Sequence, residues 1–291
     1  MEKPLRLIVV ANSRLPRVQA AWLEIEKFLR EQPQVDICAV DQGDGLEAGA
    51  PDADLVLVLG GDGAILRACR QLGKLQLPIL GVNLGRLGFL ADLSPEHFLD
   101  GFPAILARQF YVVRHLMFEC ELRSGASGAP PQQFLGLNEI VISSAAALQM
   151  IDVHLKINGE AVTTYSGDGL IVSTPVGSTA HSLSAGGPIL RQDLQAFVIT
   201  PICPHTLTNR PLVDSADCVY ELSLPEIPDG VTLVIDGQIK LPLQSRDVVT
   251  IRRAAVSFQM ARLPGHSYYG TLHKKLGWGG QPRYWQGGLG K

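Results

Sequence analysis

The residues best placed to do chemistry are Gly60, Gly61, Asp62 and Gly63, a run that follows the apolar stretch 54–59 and precedes a helix-like stretch over 64–72. Glycines at the carboxyl end of a buried strand let a ligand approach the backbone, and ligands of open α/β sheets bind at that edge. Free N–H groups at the following helix start favour phosphate. An aspartate in such a turn repels phosphate by itself. It makes sense if it takes a proton from a hydroxyl nucleophile or helps to hold Mg²⁺. The plainer alternative is a tight turn in which Asp62 caps the helix. The chain contains neither G-x-x-x-x-G-K-[ST] nor G-x-G-x-x-G, which speaks against a P-loop kinase and an ordinary nicotinamide dehydrogenase.

Two further segments carry polar groups at useful spacing. Residues 165–190 are rich in Gly, Ser and Thr, with Asp168 between Gly167 and Gly169. Within them Gly177-Ser178-Thr179-Ala180 predicts the opening of a short helix with Ser178 or Thr179 near its cap. Asn138 and Glu139 sit between two apolar runs. Neighbours on a strand point to opposite faces, so both can serve one ligand only at a strand end or bulge. Asn donates and accepts, and Glu accepts from a diol. Taken alone, the pair is a weak signal and reads first as solvent-facing decoration.

No metal site is expected from spacing. His97, His115, His154 and His205 show no H-x-x-x-H or H-E-x-x-H pattern. The five cysteines (Cys38, Cys69, Cys120, Cys203 and Cys218) are scattered with no C-x-x-C pair. That pattern argues against a disulfide framework and for a reducing compartment.

The elements that must position these groups follow from periodicity. Residues 5–10 form a continuous apolar run, as in a strand buried on both faces. Val18, Ala21, Trp22, Ile25, Phe28 and Leu29 then recur at helical spacing. Strands are predicted at 35–40, 54–59 and 77–82, and Ser94-Pro95-Glu96 is a helix start. Alternating strands and helices predict a parallel sheet flanked by helices. From about residue 111 short β-like runs dominate: 111–122, 134–143, 149–157, 160–165, 169–173, 197–201, 219–224, 231–235 and 247–253. Asn158-Gly159 is a two-residue hairpin signal, and the region predicts two packed sheets. Residues 124–131 read as a hairpin loop.

Composition bounds the function. Hydrophobic residues make up 46 % of 291, charged residues 18 %, and the formal net charge is −3. No basic block suggests nucleic-acid binding, and no stretch is long enough to span a bilayer. The N-terminus lacks a signal-peptide cleavage pattern, so a soluble, cytoplasmic protein is expected.

The motifs GGDGA at 60–64, NLGRLGFLAD at 83–92, NEIVI at 138–142, SGDGLIVSTPVGSTAHSLSAGGPI at 166–189, TPICPHTLTNRPLV at 200–213, DGQ at 236–238 and HKKLGW at 273–278 stand in one order along the chain. Together they resemble the successive motifs of the NAD kinase family. GGDG is shared with lipid kinases; the 166–189 segment is the more specific. Two positions depart from the family pattern: Ala64, where Thr is commoner, and His181, where Tyr is commoner.

The resemblance implies transfer of a phosphoryl group from ATP, another nucleotide or polyphosphate to the 2′-hydroxyl of the adenosine ribose of NAD, with Mg²⁺. It implies an α/β domain over 1–110 plus 264–278 carrying the GGDG loop, and a β-rich NAD-binding domain over 111–263. Residues 279–291 are expected to form a poorly ordered tail. Asp62 would be the base, with Gly63, Asn138, Glu139, Asp168, Thr179, Ala180, His181 and Ser184 on NAD. Gly60, Gly61, Arg67 and Arg86 would face the phosphate donor. A homo-oligomer, dimer or tetramer, is implied as well. The rivals are a lipid kinase, which would need an apolar entry, and an NAD sensor that has lost triphosphate binding.

Overall fold

The computed structural model describes residues 3–46, 52–86, 88–91, 93–125, 130–144, 149–206 and 208–277. The expected tail at 279–291 and much of the 124–131 loop lie outside them.

The first layer is a six-stranded sheet in the order β2-β1-β3-β4-β18-β5. Its strands are β1 (Leu5–Ala11), β2 (Val35–Asp41), β3 (Leu55–Leu59), β4 (Ile79–Val82), β5 (Tyr111–His115) and β18 (Phe258–Arg262). β1 to β4 are parallel, with helical crossovers carrying the chain from β1 to β2 and from β3 to β4. Helices α1 (Pro16–Arg30) and α3 (Pro95–Leu106) cover one face through Trp22, Ile25, Leu29, Phe98 and Phe102. Helix α2 (Asp62–Leu72) covers the other through Ile65, Ala68 and Cys69. Ser94 caps α3 by accepting from the His97 N–H, ahead of Pro95.

The second body is a sandwich of two antiparallel six-stranded sheets. One contains β6 (Phe118–Arg123), β7 (Gln132–Gly136), β9 (Ile151–Ile157), β10 (Glu160–Gly167), β14 (Tyr220–Ser223) and β17 (Val248–Arg253). The other contains β8 (Glu139–Ser143), β11 (Gly169–Ser173), β12 (Ala196–Ile202), β13 (Leu212–Ser215), β15 (Thr232–Ile235) and β16 (Ile239–Pro242). Alternate residues of both, among them Phe118, Val153, Leu222, Ile140, Leu170 and Phe197, meet in one core.

The apolar run 111–122 is not one strand. It breaks at Leu116 and Met117, and its halves join different sheets: β5 pairs with β18 in the first sheet, β6 with β17 in the sandwich. Both linking residues are buried, so hydrophobicity continues through the corner and hides it. β18 lies on the first sheet too, parallel to β4. Three short strands, β13, β16 and β18, are absent from the periodicity reading. No helix among the described residues is long and apolar enough to cross a membrane.

Candidate active site

In the order β2-β1-β3-β4 the chain moves one way after β1 and the other way after β3. The crevice between the carboxyl ends of β1 and β3 is therefore the switch point at which open α/β sheets bind ligands. A cavity of about 600 Å³ lies there, lined by Asn12, Arg17, Gly60, Gly61, Gly63 and Arg67 among others. Gly60 has φ of 151°, and a Cβ on it would lie 2.8 Å from Cβ of Ala64. The turn thus requires glycine, and Ala64 packs over it.

Asp62 is the first residue of α2 and not its cap, which is Gly61. Its carboxylate accepts three backbone N–H groups from the facing loop. Oδ2 takes Phe89 at 2.8 Å; Oδ1 takes Leu90 at 3.1 Å and Ala91 at 3.0 Å. A Cβ on Gly88 would collide with Oδ1. A carboxylate offers about four lone-pair sites. Three donors fix its direction and leave about one site for a substrate hydroxyl.

On the donor side Arg67 is half-buried, with Nη2 3.3 Å from Oδ2 of the fully buried Asp41. Burial works against the Asp41 anion. The N–H groups of Gly43 and Gly45 and the Arg67 charge prevail and hold its carboxyl below the usual range. Arg86 is exposed on the turn after β4, next to Gly85 of the cavity wall. Arg17, in the first turn of α1, also lines the cavity, and the motif reading does not include it. Its only signal is its place just behind the proline that starts α1.

The sandwich supplies the opposite wall. Asn138 and Glu139 lie where β7 turns into β8, the strand end that a shared ligand requires. The buried carboxylate of Asp236 builds this corner by accepting the N–H groups of Leu137, Asn138 and Glu139 at 2.9, 2.7 and 3.1 Å. Burial nevertheless raises its pKa. Glu139 is 1 % exposed, and its Oε1 lies 2.7 Å from Nδ1 of His181. Burial pushes Glu139 up to about 7, against the hydrogen bond to His181 and with the repulsion of Asp236. Its Oε2 and Oδ1 of Asn138 are buried without a protein partner among the described residues. Such orphaned acceptors cost about 1–3 kcal/mol each and are open to a donor from a ligand.

Gln238 joins the two walls. Its Nε2 donates to the Gly63 carbonyl at 2.9 Å, and its Oε1 accepts from Arg70 at 2.6 Å. The DGQ motif therefore locks the start of α2 to the sandwich. Only the β15–β16 turn brings it there, which is why local pattern does not reveal it.

Thr179 closes a 3₁₀ turn, Gly177–Thr179, and Ala180 leads into α4 (His181–Ser184). Neither Ser178 nor Thr179 caps a helix by its side chain. Their hydroxyls donate backwards, Ser178 to the Pro175 carbonyl at 2.6 Å and Thr179 to that of Val176 at 3.1 Å. The Ser178 hydroxyl in turn accepts the Leu190 N–H at 3.0 Å, which spends it on the fold. Gly177 passes so close to the Asn138 backbone that a Cβ would collide with it. His181 is exposed and adjoins Glu139, while Ser184 is exposed at the end of α4.

Asp168 does not join this cluster directly. It is exposed at the β10–β11 corner, where Gly169 pairs with Ser143; Glu139 pairs with Ser173 at the other end of the same ladder. Four residue steps at about 3.4 Å separate the two ends by roughly 14 Å. No group of three or more His, Cys, Asp or Glu side chains among the described residues could hold a metal.

Residues 28–110 match the ATP-NAD kinase N-terminal domain family and residues 137–263 the ATP-NAD kinase C-terminal domain family. An NAD kinase of Rhodopirellula baltica is 47 % identical over 279 residues, 96 % of this chain and 88 % of that protein. One of Citrifermentans bemidjiense is 44 % identical over 231 residues, 79 % of this chain and 80 % of its own. The crystal structure of an NAD kinase from Archaeoglobus fulgidus in complex with ATP matches with a TM-score of 0.70 at 28 % identity, over 94 % of this chain and 98 % of that one. Yeast NADH kinase complexed with NADH shares the fold, with a TM-score of 0.85 at 24 % identity, over 97 % of this chain and 91 % of that one.

Proposed function

The chain belongs to the ATP-NAD kinase family, and we propose that Asp62 is the base through which it transfers a phosphoryl group to the adenosine 2′-hydroxyl of NAD. It is a kinase that phosphorylates NAD with ATP. That membership sets aside the lipid-kinase rival.

The observation that carries the assignment of Asp62 is its place between the two walls. It starts α2 beside the cavity at the β1–β3 switch point, and the next residue is hydrogen-bonded to the DGQ turn of the sandwich. The triphosphate belongs in the cavity beside Gly60 and Gly61, with Arg67 and Arg17 as cations and Arg86 at the rim. NAD lies along the sandwich wall. Thr179, Ala180 and His181 frame the adenine, with Ser184 beside them, and Gly63, Asn138 and Glu139 take the ribose. The roughly 14 Å from Glu139 to Asp168 suits a dinucleotide held at both ends.

Phosphoryl transfer asks mainly for in-line placement and neutralised charge. Mg²⁺ would supply much of that neutralisation. Such an ion would be held chiefly by triphosphate oxygens, with Asp62, between Gly61 and Gly63 of the cavity wall, as an acidic group beside it. Asp62 takes the hydroxyl proton as the oxygen attacks, and the three N–H donors keep its remaining lone pair aimed there.

We further infer a homo-oligomer, dimer or tetramer, and a cytoplasmic setting. Val162 and Val213 are exposed on β10 and β13, the edge strands of the two sandwich sheets, and the cysteines are free.

Asp62→Asn tests the assignment. NADP formation from NAD, ATP and Mg²⁺ is expected to lose about 10²-fold or more in kcat while NAD binding by calorimetry persists. Near-native turnover would remove Asp62 from the mechanism.

A further inference from the structure

The loop that grips Asp62 is itself gripped from behind. Arg262, the last residue of β18, is 4 % exposed. Its Nη1 donates to the Leu90 carbonyl at 3.1 Å and its Nη2 to the Phe89 carbonyl at 3.3 Å. The Phe89 carbonyl and the Leu90 N–H belong to one peptide group; the Leu90 carbonyl and the Ala91 N–H belong to the next. Both groups are therefore held on their oxygen side by one guanidinium and donate on their nitrogen side to one atom, Oδ1 of Asp62.

We propose that Arg262 is a positioning residue for the phosphoryl transfer, which pins Oδ1 of Asp62 through these two peptides and leaves Oδ2 to take the proton.

A charge at a carbonyl polarises the peptide and strengthens the N–H bond it donates. Both of these peptides donate to Oδ1, whereas Oδ2 accepts the Phe89 N–H, which belongs to the peptide before them. A buried guanidinium is costly unless well satisfied. His115 adds no competing charge nearby, because burial pushes its pKa down to about 4. The C-terminal helix α5 (Tyr268–Leu276) contributes in the same sense: Nζ of Lys275 lies 5.1 Å from the Phe89 ring centroid. Arg262 also lines a cleft with Tyr111, His115, His266 and Tyr268, so a small ion can reach its position from solvent.

This inference rests on the role proposed for Asp62, and the experiment separates the two. Arg262→Gln is made alone and in the Asp62→Asn background, and kcat and KM are measured for NAD and for ATP. Arg262→Gln alone is expected to lower kcat by about 10–100-fold, with both KM values within about twofold of wild type. In the Asp62→Asn background the same change is expected to cost nothing further, since nothing is left to position. Guanidinium added to Arg262→Ala is expected to restore part of kcat. Equal losses in both backgrounds, or wild-type kcat in Arg262→Gln, would overturn the proposal while leaving Asp62 as base. An active Asp62→Asn would overturn the base itself. Should the Gln variant fail to fold, Arg262→Lys keeps the charge but reaches one carbonyl, and the same cycle decides.

Discussion

Glu139 and His181 meet at 2.7 Å across the mouth of the site, one carboxylate buried at 1 % exposure, one imidazole largely in solvent. The buried partner carries the strain of the pair. Removed from water and repelled by Asp236, it titrates near 7, well above an ordinary glutamate.

That shift fixes a sign for stability. A folded pKa above the unfolded one means the folded chain binds the proton more tightly. Glu139 therefore contributes stability that is full below the unfolded value of about 4.5 and is lost as pH rises through about 7. Glu139→Gln is expected to remove that falling component from a plot of Tm against pH. An unchanged slope over this window would show that Glu139 is not titrating there.

His115 has the opposite sign. Its folded pKa is about 4 against 6.5, so the unfolded chain binds the extra proton between these values. Its contribution is present above 6.5 and is lost as pH falls toward 4. His115→Gln is expected to flatten the acid limb of the same plot. Each variant is compared with wild type, because the two windows overlap.

The role proposed for His181 is to stack on adenine, and base stacking on a ring is worth about 1–3 kcal/mol. His181→Ala is expected to raise KM for NAD by roughly 5-fold or more with KM for ATP unchanged. His181→Tyr, the residue commoner in the family, is expected to retain NAD binding. A rise confined to ATP would place the adenine of NAD elsewhere.

The donor side separates into two cations. Arg17→Ala is expected to raise KM for ATP with no loss of Tm, since no ion pair depends on it among the described residues. Arg67→Ala is expected to raise KM for ATP and to lower Tm by several degrees, because it leaves the buried Asp41 without its charge partner. Equal melting curves for both variants would contradict the coupling to Asp41.

Gly88→Ala is the sharpest local test of the loop around Asp62. Its Cβ has no room beside Oδ1, so kcat is expected to fall by about 10-fold or more with KM for ATP retained.

What the sequence disclosed follows from range. β3, the glycine turn and the start of α2 are contiguous, and turn chemistry with apolar runs identifies them without a third dimension. Asn138 and Glu139 could be named but not oriented, because the corner that holds them is built by Asp236, far along the chain. Gln238 could be named within DGQ but not given its contact with Gly63, and Arg262 gave no local signal at all. One acts from a hairpin turn, the other from a short strand whose partners, β4 and β5, are remote in sequence. The 111–122 run misled for a related reason: burial of Leu116 and Met117 conceals a change of partner that only pairing reveals.

The pairing of His115 with Phe258 closes the first sheet with strands from either side of the sandwich, so everything between them leaves and re-enters at one spot. The sandwich thus hangs covalently on two neighbouring strands, while Leu137, Val176 and Ala254 seal it against Ile65, Ala68 and Leu72 of α2. Tilting about those strands would have to break the Gln238 bonds to Gly63 and Arg70 and part that shared core, so the gap between Asp62 and His181 is held at a fixed width. Any body grafted between those strands must therefore bring its own counterpart of the Gln238 turn and an apolar face for α2, not only matching ends.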